Sequence, residues 1–367
     1  MLRLDDREWR VFSLTGEGGL FPIHATSTGI DGINLKDGYG ANVPYITRTE
    51  TNNGIARFIS PENLEYGKDK GGCITIGLDT QTAYWQPVDF VTGQNIHVLR
   101  SSSLNYYSYQ FLTVILRQQM KSKFNWGGNG ATLGRLKKLK IMLPVTEAGE
   151  PDYQFMEDYI GERMATKKKQ YLEYVKKRIA ELCVVPDDQT VDWQSLIDSH
   201  NWEPVIVKDI ADVHSGHDIY AQERIDGNTP LVTAVGVNNG IGYFVGNDND
   251  SRAEGSISVV RNGASVGKAF YHRYTALYGN DCRRMKLKKT DSEYVSIFIT
   301  QVIGMQKKAF SYSRKLGTER LENLKIMLPV TDAGEPDYDL MEQFGRKMML
   351  NKYNQYFRFL KLNDTPL

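Results

Sequence analysis

The sequence predicts an α+β protein built as two tandem copies of one β-rich domain, each followed by a long helix, with the two helices pairing as an antiparallel coiled coil. Three observations carry this. Residues 139–157 (LKIMLPVTEAGEPDYQFME) and 324–342 (LKIMLPVTDAGEPDYDLME) are identical at 16 of 19 positions, 185 residues apart in a chain of 367. A looser match continues upstream, where NVPYITRTETNNGIARFIS (42–60) pairs with NTPLVTAVGVNNGIGYFVG (228–246), and Trp9 in EWRVFSL pairs with Trp202 in NWEPVIV. Finally, each half runs through the same order of elements, and the drift in offset places small insertions in loops. A period this long is far above that of a solenoid, so whole domains are duplicated.

Each half opens with a stretch rich in β-branched and aromatic residues, in which ITIGL (74–78) and SISVV (256–260) read as strands. The Asn-Asn-Gly and Arg-Asn-Gly triplets read as tight turns between strands. Short helices follow near 108–120 and 293–308. The repeated segment then ends in Pro-Asp, which suits a helix start because Pro fits the first turn and Asp caps it. The long helices cover 152–182 and 337–362, roughly 45 and 39 Å at ~1.5 Å per residue. Their apolar residues recur at three-, four- or seven-residue steps. Met156, Ile160, Met164, Tyr171 and Tyr174 form one seam, and Met341, Phe344, Met348 and Tyr356 the other; both are candidates for helix pairing and partner docking.

The composition excludes several classes. With 41% hydrophobic and 24% charged residues the chain is globular. No run approaches the ~20 apolar residues of a membrane span, and MLRLDDREWR has no apolar core of a signal peptide. Cys73, Cys183 and Cys282 form no C-x-x-C pair, which fits a reducing, cytoplasmic setting and excludes a cysteine zinc site. A net charge of +1 excludes a uniformly basic chain but leaves local patches open. Residues 117–140 hold seven basic residues and no acid, and 261–289 hold eight against Asp281 alone. Such excesses beside turns rich in Asn, Ser and Tyr suit a polyanion, with Lys and Arg on phosphates and Asn or Arg on base edges. A solvated basic face explains them equally well.

No catalytic constellation stands out. Asn42-Val43-Pro44-Tyr45 approaches the loop with which amino-methyltransferases grip a flipped adenine, but its second residue is wrong and its counterpart, Asn228-Thr229-Pro230-Leu231, has no aromatic; it reads as a structural turn. Pro151-Asp152 and Pro336-Asp337 lack the acid-x-Lys of a nuclease strand. His214 and His217 read as a polar loop without thiolate partners, and Gly16-x-Gly18-Gly19 lacks the Lys-Ser/Thr of a phosphate loop.

Two β-rich, basic-patched domains, each followed by a long helix, resemble the specificity subunits of type I restriction–modification systems. The LKIMLPV-x-x-AGEPDY-x-x-ME segments look closer to the recognition subunits of type IIB restriction enzymes. The resemblance spans the chain and is strongest over NTPLVTAVGVNNGIGYFVG, EGSISVVRNGASVGKAFYH and YGNDCRRMKLK; in the first half GGCITIGLDTQTAYWQP departs from the Arg-Asn-Gly-x-x-x-Gly pattern. It implies a first target-recognition domain over 1–150, a long helix over 151–183, a linker over 184–200, a second target-recognition domain over 201–335 and a second helix over 336–367. It also implies that each domain reads one half of a split, asymmetric target in double-stranded DNA. The helices act as a ruler and dock two methyltransferase or methyltransferase–nuclease subunits per chain. S-adenosylmethionine and Mg2+ belong to that partner, and this chain needs no cofactor, metal, catalytic residue or membrane. The alternatives are a non-catalytic dimerisation or binding module of another DNA-modification defence system, or a cryptic methyltransferase.

Turn position and side-chain type select the candidate DNA contacts. In the first half they are Thr47, Arg48, Asn52, Asn53, Arg57, Lys123, Asn125 and Trp126. In the second they are Thr233, Asn238, Asn239, Arg261, Asn262, Ser265, Arg314 and Lys315.

Overall fold

A computed structural model of the chain describes residues 1–36, 38–124, 128–182, 193–311 and 313–362. They divide into two compact units, Met1–Glu173 and Tyr174–Leu367. The first contains β1 (Trp9–Ser13), β2 (Ile23–Ala25), β3 (Val43–Ile46), β4 (Ile55–Ile59), β5 (Cys73–Gly77), β6 (Ala83–Gln86), β7 (Val91–Thr92), β8 (Ile96–Leu99), α1 (Tyr106–Lys123), α2 (Leu133–Leu136) and β9 (Lys140–Pro144). The long helix α3 (Tyr153–Leu182) begins in this unit. The second contains α4 (Trp193–Ser199), β10 (Trp202–Ile206), α5 (Val207–Ile210), β11 (Ala211–Ser215), β12 (Asp226–Val232), β13 (Ile241–Val245), β14 (Ser256–Val260), β15 (Ala269–His272), β16 (Leu277–Tyr278), β17 (Cys282–Leu287), α6 (Glu293–Met305), α7 (Thr318–Glu322), β18 (Lys325–Pro329) and the long helix α8 (Tyr338–Leu362).

The duplication seen in the residues is a duplication of topology. Four strands run β2-β8-β5-β6 in the first unit and β11-β17-β14-β15 in the second. Three run β4-β3-β7 and β13-β12-β16, each with one parallel pair. The strand before each domain closes antiparallel on the repeated segment, Trp9 opposite Pro144 and Trp202 opposite Pro329. Both tryptophans then stack on the domain's short helix, Trp9 on Phe111 at 6.0 Å and Trp202 on Phe298 at 6.2 Å. Phe111 and Phe298 meet Tyr159 and Phe344 of the long helices edge-on. This ladder fastens strand, short helix and long helix around a core of Leu14, Ile74, Leu112, Ile141 and Met156 in one unit and Ile257, Met285, Ile299, Ile326 and Met341 in the other.

The Pro-Asp helix starts fold as the sequence predicts. Phe155 donates its N–H to Asp152 Oδ1 at 2.8 Å, and Leu340 donates to Asp337 Oδ1 at 2.9 Å. Asp152 also pairs with Arg7, and Asp337 with His200.

Several expectations change. Met156 and Met341 are buried in their own units' cores by the first turns of α3 and α8, and Ile160 and Phe344 pack partly buried against the same cores, so this end of each seam faces its own domain. Met164, Tyr171, Tyr174 and Met348 are exposed by about two-fifths, and Tyr356 packs beside Phe359. The long helix α3 occupies Tyr153–Leu182 and crosses from one compact unit to the next at residue 173–174. Its last turns pack Val175 and Leu182 against Tyr294 of α6 and Tyr353 of α8, residues absent from the predicted seam. Within the predicted linker, residues 193–199 form α4. Val43–Ile46 and Asp226–Val232 are strands rather than turns, and Tyr45 is buried with its hydroxyl on the Ile30 carbonyl, so no flipped base reaches it. His214 lies in β11, not in a loop, and His217 pairs with Asp250 at 3.1 Å.

Candidate nucleic-acid interface

In each unit three turns gather at one end of the four-stranded sheet. In the first, Gly93 donates to the Ile46 carbonyl at 2.8 Å, Leu78 to Asn95 at 3.1 Å and Ala131 to Leu78 at 2.8 Å. The second repeats this pattern bond for bond: Gly279 to Val232 at 2.8 Å, Arg261 to Asp281 at 2.8 Å and Leu316 to Arg261 at 3.0 Å. The β3–β4, β5–β6 and β7–β8 turns and the segment after α1 therefore share one edge, as do their counterparts. That edge holds most of the residues singled out by sequence.

The Asn-Asn-Gly turns are the most constrained part. Asn52, Asn53, Asn238 and Asn239 all have φ between 50° and 56°, the left-handed region that Asn tolerates better than other side chains. Asn53 spends its amide on the Trp85 carbonyl at 2.8 Å, and Asn239 on the Tyr271 carbonyl at 3.1 Å. These two are turn anchors, tying the turn to the sheet's outer strand, β6 or β15. Asn52 and Asn238 stay exposed, and among the described residues their side chains have no partner. Thr47 and Thr233 close the same turns through their N–H groups on Gly54 and Gly240.

The charged side chains differ between the units. Arg48 pairs with Asp79 across two turns of the first edge. In the second, Arg261 Nη2 and Asn262 Nδ2 share one oxygen of Asp281, at 3.3 and 3.5 Å. Ser265 sits in the same turn, where Lys268 reaches the Gly236 carbonyl at 2.7 Å. Arg314 and Lys315 are exposed on the segment that follows α6. Lys123 ends α1 and is exposed, while Asn125 and Trp126 lie outside the described residues. Arg57 is not at this edge: it projects from β4 and donates to the Gly32 carbonyl at 3.0 Å.

The basic excess of 261–289 does not form one free face, because strand alternation sends Arg283 inward and neighbours to the other side. Arg283 is buried on the carbonyls of Asn280 and Cys282, and burial with Arg261 nearby lowers its pKa. Lys286, Lys288 and Lys289 meet Asp291, Asp212 and Glu335, acids from outside the run. The first unit keeps more of its excess: Lys121, Lys123, Lys137, Lys138 and Lys140 are exposed and have no ion-pair partner among the described residues.

Sequence reasoning missed Asp79, Arg283 and His97, which lie in or behind these turns, and the polar plug beneath the Asn-Asn-Gly turns. In the first unit that plug is Gln86, on Thr75 and the Asn53 carbonyl; in the second it is His272, 2.8 Å from Ser258 Oγ. Burial lowers the His272 pKa to about 4, so the ring is neutral. Cys73 and Cys282 are buried and free, with thiols pushed up to about 12 by burial. Among the described residues no group of three His, Cys, Asp or Glu could hold a metal ion, and no helix is long and apolar enough to cross a membrane.

The family described as the type I restriction modification DNA specificity domain matches the chain twice, over residues 7–174 and 199–356. The specificity subunit S.BcgI of the type II restriction enzyme BgcI, from Heyndrickxia coagulans, is 31% identical over 308 residues, covering 83% of this chain and 85% of that protein. Two solved structures align along the chain at low identity. The S subunit of a type I restriction–modification system from M. genitalium has 15% identity, a TM-score of 0.43 and coverage of 98% and 94%. The HsdS subunit from Thermoanaerobacter tengcongensis has 12% identity, a TM-score of 0.32 and coverage of 98% and 92%. With two such domains in tandem, the chain belongs to the DNA specificity subunits of restriction–modification systems, a family of recognition subunits rather than enzymes.

Proposed function

We propose that the chain reads an interrupted, asymmetric DNA target, one half-site per unit, and docks methyltransferase or methyltransferase–nuclease subunits, two per chain, through its long helices. One observation carries this: the two units share a backbone frame at the reading edge and differ in the side chains mounted on it. Equivalent backbone bonds set Leu78 against Arg261 and Asn95 against Asp281. The same frame with different donors and acceptors suits two different base sequences, because base edges are told apart by their hydrogen-bonding pattern. Phosphates are held by the exposed lysines around this edge, which fix register without reading sequence.

The two half-sites are expected about one turn of duplex apart, ~34–36 Å centre to centre, the spacing at which two readers meet the same face of the duplex. The unspecified spacer is then about 5–8 base pairs. S-adenosylmethionine and Mg2+ would be bound by the partner, which would flip the target base out of the stack for methylation. The test is modified-base sequencing of genomic DNA from cells carrying the native locus, with and without this gene. An interrupted, asymmetric methylated motif that vanishes on deletion supports the reading. An unchanged methylome with the neighbouring methyltransferase expressed removes it.

A further inference from the structure

Buried polar atoms without a hydrogen-bond partner are rare in folded proteins, and a group of them points to something that completes them. Among the described residues single atoms of this kind occur at Arg178, Tyr278, Arg284 and Tyr338, and a further group lies at one end of the four-stranded sheet, the same place in both units. In the first they are Nδ1 and Nε2 of His97; in the second, Nε of Arg261, Oδ1 of Asn262 and Nε of Arg283. Strand register makes the equivalence exact to the residue: His97 lies opposite Ile76 on β8, and Arg283 opposite Val259 on β17. Leu78 and Arg261 follow two residues after Ile76 and Val259, so they point to the same side of the sheet.

The sheet end behind the reading edge thus carries Leu78 and His97 in one unit and two guanidinium groups in the other. Arg261 stands at the mouth, its side chain 24% exposed, and pairs with Asp281 at 3.3 Å, its one ion-pair partner among the described residues. Arg283 stands one step deeper. It has no carboxylate partner among the described residues and grips only the Asn280 and Cys282 carbonyls, at 2.8 and 3.0 Å. Those two carbonyls flank Asp281, so Arg283 sets the turn that presents the carboxylate holding Arg261 and Asn262. Two neighbouring cations with one exposed acid between them favour an arriving group rich in acceptors. In the major groove that group is the O6/N7 edge of guanine, which accepts both arms of an arginine fork.

Building on the DNA-reading function proposed above, we propose that this sheet-end position determines specificity in each unit, and that in the second Arg283 is a positioning residue presenting Arg261 to a guanine. The half-site read by the second unit therefore contains a guanine that the first unit's position, with Leu78 and His97, does not demand.

The test exchanges the position between units in the full chain, expressed with its partner from the native locus, and reads the methylated motif. Arg283→His installs the side chain that the same fold already holds at residue 97. The expected result is discrimination at one guanine of one half-site reduced about tenfold or more, with the other half-site as in wild type. Arg283→Lys, which keeps the charge but not the fork, recovers only part of it. A motif unchanged in Arg283→His, or methylation lowered uniformly with every base preference kept, overturns the proposal. If Arg283→His does not fold, Arg261→Ala decides at the exposed member: an unchanged motif overturns the proposal, and relaxation at one guanine sustains it. Absence of any interrupted motif in wild type defeats the DNA-reading function itself, which separates the two failures.

Discussion

Asp152 and Asp337 each accept the N–H of the third residue of a long helix, and each has its second oxygen on a neighbouring side chain, Arg7 or His200. Replacing either with Ala removes a cap and lowers stability by about 1 kcal/mol, measured by urea denaturation. Arg178 is a stronger case. Its side chain is 8% exposed and contacts Glu293, Glu181 and the Tyr294 hydroxyl. Arg178→Ala leaves the largely buried Glu293 carboxylate without its nearest cation, a loss of about 3 kcal/mol in the same measurement. The capping aspartates were legible in the sequence because a cap is local, a Pro-Asp step before a periodic run. Arg178 was not, because two of its partners, Glu293 and Tyr294, lie 115 and 116 residues away. Arg283 and His97 escaped for a related reason: the β5–β6 turn has five residues between strands and the β14–β15 turn eight, so equivalence shifts along the chain and only strand register restores it.

Among elements, the hairpin under the second Asn-Asn-Gly turn carries a titrating plug that its counterpart lacks, added to the same acid-sensitive direction that burial gives His97 of the first unit. His272 is neutral when folded, with its pKa lowered from 6.5 to about 4 by burial. The unfolded chain then binds more protons between those values, so the stabilisation is complete above pH 6.5 and is lost as the pH falls toward 4. His272→Gln, which copies Gln86 of the first unit, flattens the stability curve across this window; an unaltered curve would assign the acid sensitivity elsewhere. The strands and long helices themselves were legible because alternation and three-to-four periodicity are properties of short segments. What the long helices bury was not. The first two turns of each look like the rest of the seam in sequence, yet Met156 and Met341 face a domain core that only the tertiary fold supplies.

For the whole molecule, the nearly neutral net charge means that the proposed DNA binding would draw on local basic groups, among them the exposed lysines of the first unit. If the two edges together contact about six phosphates, raising salt from about 50 to 200 mM weakens binding about a thousandfold. Titration of a duplex carrying the methylated motif with the chain and its partner measures this, and a salt-independent affinity would leave those lysines merely solvated. The duplication and the family were written in the chain because sixteen of nineteen repeated residues serve a frame both units need. The side chains that differ at the reading edges were hidden in divergence that resembles drift. The helix that begins in one unit and ends in the other also has a genetic consequence. Residues 174–182 lie with the second unit, and Arg178 meets Glu293 there. A crossover within 183–192 would hand the incoming half a foreign clasp, whereas one at residue 173 would transfer unit and clasp as a single heritable cassette.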